Sequence, residues 1–144
     1  MTVRFIPEQI NLVVRDIEAS VAFYRLLGWE MDATGPHASI VFPNGFGFDL
    51  DQHEFAKQWN SGTPDLNAGS VVVCVTVPER DEVDVLWQRL VDAGYGARQM
   101  PYDAFWGSRF AVIDDPDGYQ IGLRSPRSDE HRFWPPSDAP RHPT

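Results

Sequence analysis

The feature that most constrains this chain is a turn pattern that occurs twice. Between Phe105 and Arg124 an apolar run breaks at Asp115-Pro116-Asp117-Gly118, where Pro presets φ and Gly accepts φ > 0. The chain then alternates Tyr119, Ile121 and Leu123 with Gln120, Gly122 and Arg124. Half a chain length earlier, Ile40-Val41-Phe42 meets Pro43-Asn44-Gly45, and Phe46, Phe48 and Leu50 alternate with Gly47, Asp49 and Asp51. Each stretch reads as a β-hairpin with one buried face. Repetition at this scale turns one fold into two copies of a half-domain.

The segments before each hairpin complete the copies. Ile10, Leu12 and Val14 alternate with Gln9, Asn11 and Val13 as a half-buried strand. Asp16 is placed to cap a helix over 17–27, on which Ile17, Val21 and Tyr24 keep helical spacing and Phe23 and Leu27 widen the stripe; Gly28 closes it. Strands over Trp29–Thr34, Ala38–Phe42 and Phe46–Asp51 then make βαβββ. The second copy opens at Ser70, with Val71, Val73, Val75 and Val77 on the helix side and Ser70, Val72, Cys74 and Thr76 on the open side. Asp81 is expected to cap a helix carrying Val83, Leu86, Trp87 and Leu90, which ends at Gly94. A strand near Tyr95–Met100 leads into the second hairpin. The expected fold is α+β: a first βαβββ unit at 1–52, a polar, irregular linker at 53–69 holding Phe55 and Trp59, and a second unit at 70–125. A Pro-rich tail follows at 126–144, and its Phe133-Trp134 pair suits docking onto the domain or a partner.

With 144 residues and 42% hydrophobic content, the chain can bury one core or two small fused ones, and no apolar run is long enough to cross a bilayer. The start Met1-Thr2-Val3-Arg4-Phe5-Ile6-Pro7 lacks the pattern of a secretory signal, and one cysteine, Cys74, excludes an internal disulfide framework; a cytoplasmic protein is expected. A net charge of −9 argues against a nucleic-acid partner, whose phosphates need Lys and Arg. That charge fits either solubility alone or the steering of cationic ligands.

Asn11-Leu12-Val13-Val14-Arg15-Asp16, Ala22-Phe23-Tyr24 with Leu27-Gly28, and Asp115-Pro116-Asp117-Gly118 resemble the vicinal oxygen chelate superfamily: glyoxalase I, extradiol dioxygenases, fosfomycin-resistance enzymes and bleomycin-resistance proteins. The resemblance runs over roughly residues 9 to 125 and implies curved sheets around a groove, commonly in a homodimer. Its metal-using members draw His, Gln or Glu ligands from the strands that open and close each unit. The matching places here are Gln9, Asp49, Val72 and Gly122, of which two offer no ligand, and Gly122 stands where metal-dependent members usually carry Glu. His37 or His53 could supplement Gln9 and Asp49, although a histidine in an acidic chain is ordinarily a solvated surface residue. Trp106-Gly107 is similar to the bleomycin-resistance proteins, which use no metal and sequester a cationic antibiotic; Trp106 reads equally as a groove wall or as a core plug.

The alternation places Gln9, Asn11, Asp49 and Asp51 on one open face, and Ser70, Cys74, Thr76, Gln120 and Arg124 on the other. Trp59 and Trp106 join them from loops, and Phe110 from the last hairpin. Asn11, Asp49, Asp51, Trp59, Trp106, Phe110, Gln120 and Arg124 are the expected ligand-binding residues, since flat aromatic surfaces with carboxylate acceptors suit a planar or cationic small molecule. No nucleophile and base stand at a recognisable spacing: Cys74 in its valine-rich strand reads as an inert buried thiol, and Asp49 beside Asp51 as a hydrated carboxylate, or as a general base should burial raise its basicity. The expectation is a cofactor-free protein that sequesters an aromatic or cationic antibiotic-like ligand; the alternative is a divalent-metal lyase, isomerase or dioxygenase using Gln9 and Asp49.

Overall fold

The computed structural model describes residues 4, 6–67, 69 and 71–133, and the chain divides into two compact units after Asn67. The first runs β1 (Gln9–Val14), α1 (Ile17–Leu26), β2 (Asp32–Thr34), β3 (His37–Val41), β4 (Gly47–Gln52) and α2 (His53–Trp59). Its sheet has the order β1-β4-β3-β2, with β1 parallel to β4 and the other pairs antiparallel. The second runs β5 (Val72–Thr76), α3 (Arg80–Asp92), β6 (Gly96–Asp103), β7 (Arg109–Asp114) and β8 (Gln120–Arg124), in the equivalent order β5-β8-β7-β6. A single 3-10 turn follows at Asp129–His131. The fold is α+β with two open four-stranded sheets, and none of the described helices is long and apolar enough to cross a membrane.

Asp16 caps α1 as its position requires, its Oδ1 accepting from the amides of Glu18 and Ala19. Gly28 takes φ 81° after the helix, a left-handed turn that a Cβ would oppose. Trp29 does not start a strand there. Its ring stacks on Tyr24 at 5.4 Å and meets Phe48 edge-on at 5.0 Å, so the chain seats Trp29 and Met31 in the core before β2 pairs at Asp32. Phe23, Tyr24, Leu50 and Ala38 complete this core, on the α1 side of the sheet. Each fully buried side chain of this size contributes roughly 1.5–3 kcal/mol.

The second core gathers Val83 and Leu90 of α3 with Ala111, Ile113, Ile121 and Leu123. Asp81 does not cap α3. Glu79 holds that position without a side-chain bond, and Asp81 falls in the first turn, where its charge opposes the helix dipole's positive end. The helix starts at Arg80, whose guanidinium donates to the Gly107 carbonyl at 2.8 Å and to Asp103 at 2.7 Å. Strand β6 runs on to Asp103, past Met100, through two register shifts against β7.

Three further expectations need correction or bounding. The segment 53–69 is not irregular throughout, because α2 occupies His53–Trp59 with Ala56 fully buried against the sheet. Arg15 also draws its far end back by donating to the Leu66 carbonyl. Ser70 and Trp134 lie outside the described residues. Of the tail, residues 126–133 return to the loop before β7: Ser128 donates to the Gly107 carbonyl at 3.0 Å and Phe133 to that of Phe105 at 3.0 Å.

Candidate functional site

The face of the first sheet opposite α1 carries an open cleft of about 340 Å³. Parallel pairing of β1 with β4 sets Asn11 beside Asp49 and Val13 beside Asp51, and antiparallel pairing of β3 sets His37 across from Asp51. Helix α2 follows β4 directly and adds Phe55 and Trp59 as walls. Trp59 is therefore the last residue of a helix rather than part of a loop, and it is 52% exposed.

The polar residues form one hydrogen-bonded chain. Gly47 makes room for it, since a Cβ there would stand 2.9 Å from Gln9 Cβ. Gln9 Nε2 donates to Asn11 Oδ1 at 2.7 Å and to Asp49 Oδ2 at 3.2 Å. Asn11 Nδ2 donates to Asp51 Oδ2 at 2.9 Å, and Asp51 Oδ1 lies 2.7 Å from His37 Nδ1. Asp51, only 1% exposed, is thus a buried carboxylate with both oxygens satisfied, as burial of a charge demands. It is not the hydrated residue its position on an open face suggested, and His37, half-buried with its ring 6.0 Å from that of Phe55, is not a freely solvated histidine.

The corresponding face of the second sheet is built differently. Val72, Cys74 and Thr76 pair with Gln120, Gly122 and Arg124, and Phe110 pairs with Arg124 from the other side. Trp106 lies edge-on to both Phe110 and Phe105, each at 5.2 Å, and bridges to Arg132 of the returning tail. Its Nε1 is buried with no hydrogen-bond partner among the described residues. Cys74 is exposed, not buried: alternation turns Val73, Val75 and Val77 towards α3 and leaves the thiol on the open side. At the rim, burial alone would raise the Asp103 carboxyl, but Arg80 and Arg109 outweigh it and hold it below the ordinary carboxylate value.

Of the expected binding residues, Asn11, Asp49, Asp51 and Trp59 line the first unit's cleft, while Trp106, Phe110, Gln120 and Arg124 belong to the second unit's sheet face and the loop beside it. Sequence reasoning left His37 and Phe55 out of the ligand-binding set. His37 was recoverable by counting the antiparallel register back from the Pro43-Asn44-Gly45 turn, which sets it opposite Asp51.

The four places at which metal-using relatives carry ligands do not fit a metal here. Gln9 turns its amide nitrogen, a donor, towards Asp49 Oδ2, so that nitrogen offers no lone pair to a point shared with Asp49. Val72 has no donor atom. A side chain at Gly122 would begin 2.9 Å from Cys74 Sγ and 3.0 Å from the Phe110 ring, which fill its space. Among the described residues, no group of three or more His, Cys, Asp or Glu is arranged to hold an ion.

Comparison with known proteins agrees with this architecture. The model of the Glyoxalase/Bleomycin resistance protein/Dioxygenase superfamily matches residues 6–123. Among solved structures, a glyoxalase-related enzyme from Fulvimarina pelagi superimposes with a TM-score of 0.75 at 24% identity, covering 86% of this chain and 89% of that one. A glyoxalase/bleomycin resistance protein/dioxygenase from Nocardioides gives 0.71 at 22%, covering 90% and 88%. A family enzyme from Burkholderia phytofirmans PsJN gives 0.71 at 19%, covering 82% and 96%. At these identities the likeness is one of fold. No curated protein matches the chain.

Proposed function

The chain belongs to the Glyoxalase/Bleomycin resistance protein/Dioxygenase superfamily, and from that premise we propose that it is a metal-independent protein that binds and sequesters an aromatic or cationic antibiotic-like molecule. The carrying observation is the first unit's cleft, where the carboxylates of Asp49 and Asp51 lie between the amides of Gln9 and Asn11 and the rings of Phe55 and Trp59. Flat aromatic walls and ionised acceptors bind such ligands by stacking, cation–π attraction and charge-assisted hydrogen bonds. The net charge of −9 adds long-range attraction for cations. The misfit of the four metal positions supports independence from a metal.

The reading extends to the second unit's face, where Trp106, Phe110, Gln120 and Arg124 are proposed as a further ligand-contacting surface. It also places the protein in the cytoplasm as a homodimer, since edge strands such as β1 and β5 gain from being covered. Calorimetric titration with bleomycin-type and other aromatic antibiotics, together with tolerance of expressing cells, tests it: saturable binding of at least one compound is expected. Absence of all binding and of any tolerance overturns it. Stoichiometric Zn, Ni, Mn, Fe or Co in protein purified without chelator overturns the metal-independent part.

A further inference from the structure

We infer that the first unit's cleft selects a planar aromatic cation with N–H donors at both ends, one given to the Asp49 carboxylate and the other to Nε2 of His37; this rests on the ligand-binding reading above and narrows it.

The direction of the hydrogen-bonded chain fixes what the cleft can offer. Gln9 Nε2 spends its two hydrogens on Asn11 Oδ1 and Asp49 Oδ2, which leaves Asn11 only its amide nitrogen to turn towards Asp51. Asp51 then accepts at Oδ2 from Asn11, and its Oδ1 faces His37 Nδ1. An ionised carboxylate can only accept, so Nδ1 carries the hydrogen, and in its neutral form the ring presents a lone pair at Nε2. Among the described residues, neither Nε2 of His37 nor the second oxygen of Asp49 has a hydrogen-bond partner. Both unused groups can act as acceptors, and both belong to residues that line the cleft.

Charge decides between two uses of that imidazole. A histidine oriented by a buried aspartate is also what a general base requires. Removing a proton from a neutral ligand, however, would leave an anion beside Asp49 and Asp51 in a cleft whose lining, among the described residues, contains no Lys or Arg. A cation meets the opposite situation, with two carboxylates and the exposed face of Trp59 to receive it. The spacing sets the ligand's length. Asp49 and Asp51 are two residues apart on one strand and His37 stands opposite Asp51 on the next, so Asp49 and His37 are diagonal neighbours roughly 7–8 Å apart. Donors separated by about one six-membered ring match that span.

4-Aminobenzamidine has this shape, charge and donor placement, whereas 4-aminobenzoate keeps the shape with opposite charge and benzyltrimethylammonium keeps the charge without N–H donors. Titrated into the wild-type protein at pH 8, 4-aminobenzamidine is expected to bind about tenfold or more tighter than either. Asp49→Asn and His37→Phe should each weaken it by about tenfold, while His37→Phe leaves benzyltrimethylammonium within about twofold, because that probe has no N–H to give to Nε2. Thermal melting verifies that each variant is folded; should His37→Phe not fold, the wild-type probe series and Asp49→Asn decide. Equal or tighter binding of 4-aminobenzoate or of benzyltrimethylammonium overturns the inference. Binding of an antibiotic from the panel with no preference for 4-aminobenzamidine also overturns it, while leaving the ligand-binding reading in place. No binding by any probe or antibiotic removes both.

Discussion

The two units use one scaffold for two surfaces. Counting from the turn glycines, Asp49 in β4 and Gly122 in β8 stand at the same place, as do Asp51 and Arg124 two residues later. The strand opposite contributes His37 in the first unit and Phe110 in the second. One face therefore holds a hydrogen-bonded chain ending in a buried carboxylate, and the other holds an aromatic cluster closed over a glycine. The walls differ as well: after β4 the chain turns into α2, whereas after β8 it runs back as an extended tail to the loop at 104–107. The backbone repeat sets where side chains point, and the residues at a few equivalent positions set what each face can do.

The largest expected effect comes from breaking the second unit's wall. Gly107 has φ 96°, and a Cβ there would lie 2.4 Å from the Ser128 carbonyl oxygen, a backbone atom with nowhere to move while the tail stays in place. Gly107→Ala should therefore release residues 126–133 and cost about 2–4 kcal/mol in denaturant unfolding, from the strained φ and the lost packing together. Faster hydrogen exchange at the Ser128 and Phe133 amides, with the amides of β1 unaffected, would locate the damage. Unchanged protection at both tail amides would show that the tail is not held through Gly107.

Next in size is a comparison of the two turns. Asp115 is buried and accepts at Oδ1 from the amides of Asp117 and Tyr119, both at 2.9 Å, while exposed Asn44 accepts only from Phe46 at 3.0 Å. Asp115→Ala removes a buried carboxylate that accepts from two part-buried amides and should cost about 2–3 kcal/mol, against about 0.5 kcal/mol for Asn44→Ala, whose donor water can serve. Equal costs, measured as urea midpoints at constant m-value, would mean that the second turn is no more tightly built than the first.

How much of this was legible in the sequence follows from the same contrast. Turn residues, strand alternation and the Asp16 cap are local signals, and they mark out both units. Helix α2 carried no such signal: Gln52 makes no side-chain capping bond, and only Ala56 of its residues is buried, so no apolar period announces a helix held by the sheet beneath it. The partnership of His37 with Asp51 needs the strand register as well as the strands. Alternation puts Cys74 on the open side of β5, and reading its valine-rich run as buried on both faces is what misjudged the thiol. Gly122 was legible as a missing ligand, but the closure of Cys74 and Phe110 over it is a property of packing.

An effect smaller than that of Asp115→Ala is the most informative about the first unit's cleft. Asp51→Asn keeps the side chain's volume and can still accept from Asn11 Nδ2 through its oxygen, so its own amide nitrogen must face His37. That nitrogen only donates, and the neutral imidazole can then meet it only by presenting a lone pair at Nδ1, which moves the ring hydrogen to Nε2. Replacing charge-assisted bonds by neutral ones should cost about 1 kcal/mol. The 15N shifts of the His37 ring should exchange their protonated and unprotonated signatures between the two nitrogens, turning the cleft's second acceptor into a donor. A ring that keeps its hydrogen on Nδ1 in the variant would mean that something other than Asp51 sets its tautomer, and the first face would lose the feature that most separates it from the second.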